Sequence, residues 1–268
     1  MQAVQIDGSF GEGGGQILRS SLTLSLLTGR PLELVNIRAG RSKPGLRPQH
    51  LTAVRAVAAI GEAQLQGDAI HSQYLKFRPT TTPAAGEYHF DVRDVAKGGS
   101  AGSMTLIAQT ILVPLAFAGQ SSRVTLCGGT HVSWSPSFHY LQHVFLPAVK
   151  RCGLKTRAKL NTWGWYPVGQ GEMELAVHPI QELKSLFWSE PGNLERVSGV
   201  ARVAHFADAV HALVGIDADQ DIVIGRGHAG HAQVRDPEFR WSRVGADRLL
   251  YPAHLCIRQV SLRHLTTP

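Results

Sequence analysis

The 268-residue chain lacks the features that mark several protein classes. It has only 3 cysteines, widely spaced, so it predicts neither a disulfide framework nor a zinc knuckle. Its longest apolar run, residues 104–118, is too short to span a bilayer and contains a glutamine and a proline. No charged segment followed by an apolar one opens the chain, so we expect no signal peptide. These absences predict a cytoplasmic protein with reduced thiols and no membrane association.

Acidic residues are scarce beside basic ones, with 20 Asp and Glu against 27 Lys and Arg and a net charge of +7. The imbalance is greatest between Arg19 and Arg55, where seven basic residues face a single acid, Glu33. A local basic field attracts polyanions, and nucleic acid is the commonest of them. A solvated basic face without a partner is the alternative, and charge alone does not decide between the two.

An internal repeat organises the chain. Residues 13–40 and residues 98–130 both read as a glycine turn, a buried helix, a glycine stop, a β-rich strand and a second glycine turn. In the first copy Leu18, Leu22 and Leu26 follow helical spacing, and Gly29 stands where a C-cap glycine belongs. A third copy is predicted at residues 247–266. Helices alternate with strands, so the predicted fold class is mixed α/β (α+β) with repeated units.

The region between the second and third copies is less regular. It contains Gly-Arg-Gly-His-Ala-Gly-His at residues 225–231, which favours a flexible loop over a metal site because the segment is rich in glycine and has no carboxylate or cysteine within it. We therefore divide the chain into repeat units over residues 1–180, a degenerate remnant of a third unit or insert over residues 181–240, and a partial C-terminal repeat over residues 241–268.

A glycine-rich loop, Gly-Glu-Gly-Gly-Gly-Gln at residues 11–16, opens the first predicted helix. Backbone N–H groups without side chains can approach a phosphate closely, and a helix N-terminus adds partial positive charge. Glu12 beside the loop has the oxygen ligands that Mg²⁺ prefers. The loop matches neither the Walker A motif nor the dinucleotide fingerprint, so a plain tight turn is the alternative.

A basic loop with glycine and proline follows at residues 38–47, and Gln49 and His50 then enter a helix. Arginine forks bind phosphate oxygens at two points, and proline restricts the loop. Four cations within ten residues repel one another unless an anion lies among them. The alternative is again a solvated turn.

The order and spacing of these motifs closely resemble the RNA 3′-terminal phosphate cyclase family. The resemblance covers about residues 5–180 and rests on residues 7–19, 37–51, 100–103 and 128–130. It implies repeated βαβαββ-type units as in that family's large domain, with the small inserted domain shortened or missing. It also implies a reaction in which ATP yields a covalent histidine–AMP, AMP passes to an RNA 3′-phosphate, and the 2′-hydroxyl closes a 2′,3′-cyclic phosphate.

The resemblance further implies ATP and Mg²⁺ (or Mn²⁺) as cofactors and RNA with a 3′-phosphate end as partner. Glu12 matches the position that places the metal. The positions matched to nucleotide or phosphate binding are Glu12, Arg19, Arg38, Arg41, Gln49, His50, Gln109 and Asp247.

The family's histidine nucleophile has no counterpart, because Pro268 falls on its position and His264 lies four residues too early. We therefore expect a truncated or degenerate member without an assignable catalytic residue. Two other readings stay open at this point. One is a non-catalytic cyclase-like protein that binds RNA, and the other is an enolpyruvyl-transferase-like enzyme, which shares repeated βαβ units and an arginine-lined anionic site.

Overall fold

A computed structural model of the chain describes residues 2–96 and 99–189, together with four short strands further along. The chain divides into two compact units, residues 1–186 and 187–268. Both helical repeats described below lie in the first unit. In the second unit, Val197–Ser198 pairs antiparallel with Ser261–Leu262, and Ala201–Val203 pairs antiparallel with Gly230–Ala232.

The first repeat spans residues 4–78. Its elements are β1 (Val4–Asp7), α1 (Gly15–Thr28), β2 (Leu32–Val35), α2 (Pro48–Ile60), β3 (Gln64–Gln66) and β4 (Leu75–Arg78). The sheet has the order β1-β2-β4-β3, with β1 and β2 parallel and the other pairs antiparallel.

The second repeat spans residues 87–177 and has the same plan. Its elements are β5 (Glu87–Asp91), a 3₁₀ turn (Val92–Val95), α3 (Met104–Ala116), β6 (Ser122–Gly128), α4 (Phe138–Tyr140), a π-helical turn (Leu141–Phe145), α5 (Leu146–Arg151), β7 (Thr156–Thr162) and β8 (Gly171–Val177). The sheet order is β5-β6-β8-β7, again with one parallel pair followed by two antiparallel pairs. The predicted mixed α/β class with repeated βαβαββ units is confirmed for these two copies.

The helices form where the sequence pattern predicts them. α1 buries Leu18, Leu22 and Leu26 on one face. It ends at the C-cap Gly29, whose φ of 67° is left-handed and is adopted most easily by a residue without a Cβ. α3 is apolar on most sides because it packs against both α1 and α2. The buried side chains of both repeats form one hydrophobic cluster, so the two repeats share a core. Each fully buried leucine or isoleucine in it contributes about 1.5–3 kcal/mol to stability.

Several sequence predictions lie outside the described residues. They are the third repeat copy apart from its Ser261–Leu262 strand, the nucleotide contact of Asp247, and the alignment of Pro268 with the nucleophile. No helix in the part of the chain that the structure describes is long and apolar enough to cross a membrane.

Candidate phosphate-binding site

The N-terminus of α1 has no side-chain cap among the residues that the structure describes. The helix begins at Gly15, its N-cap Gly14 supplies no side-chain acceptor, and its first turn holds no acid. Gly11 and Gly13 both have φ near 60°, which lets the preceding loop turn sharply before the helix. Free N–H groups and the positive end of the helix dipole therefore favour an anion at this point.

The N-termini of α1 and α2 meet at Gly15. A Cβ at this position would collide with the His50 imidazole and lie 2.9 Å from Nη1 of Arg19. The absence of a side chain at residue 15 thus allows the two helix ends, and the two basic side chains, to come together.

His50 is buried in the first turn of α2, with 4% of its surface exposed. Its Nδ1 accepts a hydrogen bond from the backbone N–H of Arg47 at 3.2 Å, so the proton of the neutral ring is on Nε2, the nitrogen that faces Gly15. Burial, together with the nearby positive charges of Arg38, Arg19 and Arg47, lowers the pKa of His50 from 6.5 to about 3. At neutral pH His50 is therefore an uncharged N–H donor.

Arg19 is the least satisfied polar group of the site. Its Nη2 donates to Oε1 of Gln16 at 3.0 Å, but its Nε is buried without a hydrogen-bond partner among the described residues. Burial lowers the pKa of Arg19 to about 10, which still leaves the guanidinium charged at neutral pH. A buried unpaired donor on a cation favours an anionic ligand.

Arg38 orders the basic loop from within. Its Nη1 donates to the carbonyl oxygens of Lys43 at 2.7 Å and Gly45 at 2.8 Å. Burial lowers the pKa of Arg38, and the charges of Arg41 and Arg47 lower it further. The structure therefore gives Arg38 a loop-closing contact, while its contact with phosphate stays a prediction.

Arg41 joins the basic loop to the glycine-rich loop. Its Nη2 pairs with the Glu12 carboxylate and also donates to the Glu12 carbonyl oxygen at 3.1 Å. The Glu12 side chain is 86% exposed, so this ion pair is on the surface, where such pairs contribute little to stability. The ion pair instead holds the basic loop against the glycine-rich loop, although the two residues are 29 positions apart in the sequence.

Gln49 brings a third helix N-terminus to the same place. Its Oε1 accepts the backbone N–H of Ser103 at 2.9 Å, and Ser103 is the N-cap of α3. The N-termini of α1, α2 and α3 are thus linked through Gly15, His50 and Gln49.

Gln109 lies apart from this cluster. It is half-buried in α3, six residues beyond Ser103, which corresponds to about 9 Å along the helix axis. The structure therefore brings together Glu12, Arg19, Arg38, Arg41, Gln49 and His50, whereas Gln109 is set back from them.

An aromatic cluster beside the site was missed from the sequence. Nε2 of His131 lies 2.8 Å from Nδ1 of His139, and the His131 ring stacks on Trp163 with centroids 4.4 Å apart. Trp163 in turn stacks on Trp165 at 5.6 Å. The Trp-Gly-Trp pattern at residues 163–165 was the available signal, but the histidines are about thirty residues away in sequence.

The aromatic cluster is connected to the helix N-termini by backbone contacts. The N–H of Gly129 donates to the carbonyl of Gly102 at 2.8 Å, and the N–H of Met104 donates to the carbonyl of Gly129 at 3.0 Å. Trp134, in the same loop region, has a fully exposed indole. The loop that begins at Gly129 is thus hydrogen-bonded to the segment that leads into α3.

Comparison with known proteins gives one family. The sequence profile of the family described as RNA 3′-terminal phosphate cyclase matches residues 10–264. An RNA 3′-terminal phosphate cyclase of Gloeothece citriformis is 53% identical over 200 residues, covering 75% of this chain and 57% of that protein. One from Pyrobaculum aerophilum is 40% identical over 228 residues, covering 81% and 64%. The chain thus spans less than two thirds of the length of these relatives.

Among solved structures, the enolpyruvyl transferase NikO from Streptomyces tendae matches 63% of this chain and 31% of its own, with 12% identity and a TM-score of 0.35. A likeness at that level gives no support to the enolpyruvyl-transferase reading.

Proposed function

Because the chain belongs to the RNA 3′-terminal phosphate cyclase family, we propose that it uses ATP to convert an RNA 3′-phosphate end to a 2′,3′-cyclic phosphate. The observation that carries the proposal is the meeting of the α1 and α2 N-termini at Gly15, with the buried donors of Arg19 and His50 and with α3 joined to α2 through Gln49. The proposal includes binding of RNA and of ATP, and a cytoplasmic location.

The donors of the cluster suit a phosphate group. Arg19 offers a charged N–H, His50 offers a neutral one, and the first turn of α1 offers backbone N–H groups. Hydrogen bonds from charged donors to phosphate oxygens are about twice as strong as neutral ones. Since burial has already removed part of the hydration of Arg19 in the free protein, less of it remains to be lost when an anion binds.

Glu12 fits the divalent ion that the family reaction uses. It is an exposed carboxylate beside a predicted phosphate site, and Mg²⁺ is usually held by one or two carboxylates plus substrate phosphates. A bound Mg²⁺ (or Mn²⁺) would offset negative charge on a triphosphate. Gln109 and Asp247 are proposed to contact the adenine nucleotide, on the strength of the family resemblance alone.

The described residues bind and orient; we assign none of them to the nucleophilic step. His50, held neutral, offers its single ring proton on Nε2 to a phosphate oxygen and takes up no second proton at ordinary pH. The exposed indole of Trp134 offers a π-face on which a base of the RNA could stack. A ligand held at both points is fixed in orientation as well as in place.

The test compares two oligoribonucleotides of one sequence, with a 3′-phosphate or a 3′-hydroxyl end. Fluorescence anisotropy should show tighter binding of the phosphorylated end, and Arg19→Met should abolish the difference. Equal affinities in the unaltered chain would refute the phosphate site. A second assay with ATP and Mg²⁺ measures conversion of the 3′-phosphate to a phosphatase-resistant end. Selective binding of the phosphorylated RNA without this conversion would identify the chain as a non-catalytic RNA-binding member of the family.

A further inference from the structure

The second sheet carries a cluster of metal-ligating side chains that the phosphate site does not use. His89 and Asp91 are two residues apart on β5, so both project from the same face of the sheet. Asp91 is in register with Cys127 on the neighbouring strand β6. One imidazole nitrogen, one carboxylate oxygen and the Cys127 sulfur all lie within 4.8 Å of one another.

From this geometry we propose that His89, Asp91 and Cys127 bind a transition-metal dication of the Zn²⁺ or Co²⁺ type. Nitrogen, oxygen and sulfur ligands at this mutual spacing suit a tetrahedral ion with a water in the fourth position. Mg²⁺ and Ca²⁺ prefer all-oxygen sites, so this centre differs in kind from the one proposed at Glu12. The inference does not depend on the proposed function.

The burial of the ligands supports a fixed site. Asp91 is 7% exposed and Cys127 6% exposed, whereas His89 is exposed at the edge of the cluster. Two ligands are therefore held by packing, and the third is reached from solvent. An ion can enter from the side of His89.

The local charge is favourable for a cation despite one nearby guanidinium. Burial, with the negative charges of Asp91, Glu172 and Asp94 and against the opposing charge of Arg93, raises the pKa of Cys127 to about 11. Arg93 is ion-paired with Asp91, so the charges of Glu172 and Asp94 remain to favour a cation near the sulfur. The field that disfavours a thiolate favours a dication, and binding the metal displaces the thiol proton to solvent.

Arg93 holds the Asp91 carboxylate in a fixed orientation. Its backbone N–H and Nε donate to Oδ1 of Asp91 at 2.8 and 3.0 Å, and Nε also donates to Oδ2 at 2.8 Å. Carboxylates that bind metals are commonly hydrogen-bonded by a further group that fixes their orientation. Arg93 supplies that contact.

The first repeat shows that this ligand set is not a by-product of the fold. The matching end of its parallel strand pair has Asp7 in register with Val35, and Gln5 stands two residues before Asp7. The aspartate is thus present in both repeats, while the thiol and the imidazole occur only in the second. The first repeat therefore provides a reference position that has the carboxylate but lacks the imidazole and the thiol.

The experiment is a Co²⁺ titration of the full chain followed by absorption spectroscopy, because a cobalt–thiolate bond gives a charge-transfer band that oxygen ligands do not. The starting variant carries Cys152→Ser and Cys256→Ser, which leaves Cys127 as the single thiol. The expected result is a band that saturates at one Co²⁺ per chain and persists in excess Mg²⁺. Absence of the band in this variant overturns the proposal.

Two further substitutions test the ligands. Cys127→Ser should remove the band, and His89→Gln should weaken Co²⁺ binding more than about tenfold, since loss of a direct ligand costs at least as much as loss of a supporting contact. His89 is exposed, so its replacement keeps the test decisive even if Cys127→Ser does not fold. His178→Gln, at another exposed histidine away from the cluster, serves as the matched control and should leave the titration unchanged. Unchanged binding in His89→Gln overturns the proposal.

Discussion

The His50 imidazole lies directly against the backbone of Gly15, where even a methyl group would collide with it. This contact sets the separation of the α1 and α2 N-termini. Gly15→Ala should push the two helix ends apart and displace Nη1 of Arg19 as well. We expect a loss of about 1–3 kcal/mol in the free energy of unfolding, as for other overpacked positions, and at least a tenfold loss of affinity for 3′-phosphorylated RNA.

Gly40→Ala is the matched control for that substitution. Gly40 lies in the adjacent basic loop, and no atom lies within 4 Å of the position its Cβ would take. Urea denaturation should place its free energy of unfolding within about 0.5 kcal/mol of the unaltered chain. If both alanine variants bind RNA equally well, the tight approach at Gly15 has no part in the phosphate site.

The lowered pKa of His50 predicts how stability depends on pH. In the folded chain His50 titrates at about 3, and its ordinary value is 6.5, so between these values the unfolded chain binds the extra proton. The stability contributed by neutral His50 is therefore complete above about pH 6.5 and falls as the pH drops, by up to about 1.4 kcal/mol per pH unit. Denaturation curves of the unaltered chain and of His50→Gln, compared from about pH 4 to pH 7, should differ in slope by this amount. Parallel curves would contradict it.

Much of the site could be predicted because its parts are local in sequence. Helical spacing in α1, the C-cap at Gly29 and the glycine-rich loop each depend on a few consecutive residues, and the structure has them where the pattern predicts. The loop-closing role of Arg38 could not be predicted from the sequence. Its φ of 53° and its hydrogen bonds to two loop carbonyl oxygens depend on the folded conformation of the loop. Sequence gives the charge of an arginine but not the direction of its guanidinium.

Contacts between repeats could not be predicted in the same way. Gln49 and Ser103 are 54 residues apart, and their hydrogen bond exists only because α2 and α3 pack together. The ring stack of His131 on Trp163 likewise depends on the closure of two distant loops. Alternating residues on β5 were visible in sequence, but their partner Cys127 required the strand register.

Arg41→Ala should weaken RNA binding without favouring any base, because phosphate contacts position a ligand but do not read its sequence. The slope of log affinity against log salt concentration should become shallower by about 0.7, the value for one contact to a single strand. Arg157→Ala removes the same charge from an exposed position on β7 and is the control. An equal loss of affinity in both variants would point to net charge instead of a located contact.

Gln49→Ala should destabilise the chain by about 1–3 kcal/mol, because it leaves the N–H of Ser103 buried without its acceptor. Gln66→Ala, at an exposed position on β3, should change the free energy of unfolding by less than about 0.5 kcal/mol. Both values are measured by urea denaturation at neutral pH. A Gln49→Ala variant as stable as Gln66→Ala would show that the hydrogen bond between Gln49 and Ser103 does not contribute to the stability of the fold.

Arg19→Met should make the free chain more stable and the site less able to bind. The guanidinium is desolvated, as its lowered pKa shows, and its Nε has no partner among the described residues, so the folded chain bears a cost that only a bound anion removes. Methionine keeps the apolar stem and removes the unpaired donor. Replacing poorly paired buried charge by apolar groups often stabilises by about 1–4 kcal/mol, and we expect the lower end because Arg19 retains its bond to Gln16 and is only half-buried.

The same substitution should reverse the order of stability when ligand is present. A ligand that binds only the folded chain stabilises it in proportion to the logarithm of its concentration over the dissociation constant, so phosphorylated RNA should stabilise the unaltered chain and leave Arg19→Met almost unchanged. Melting temperatures with and without 3′-phosphorylated RNA measure both effects, and RNA with a 3′-hydroxyl end is the control ligand. If Arg19→Met is less stable than the unaltered chain and is still stabilised by the phosphorylated RNA, then Arg19 supports the fold and does not hold the phosphate.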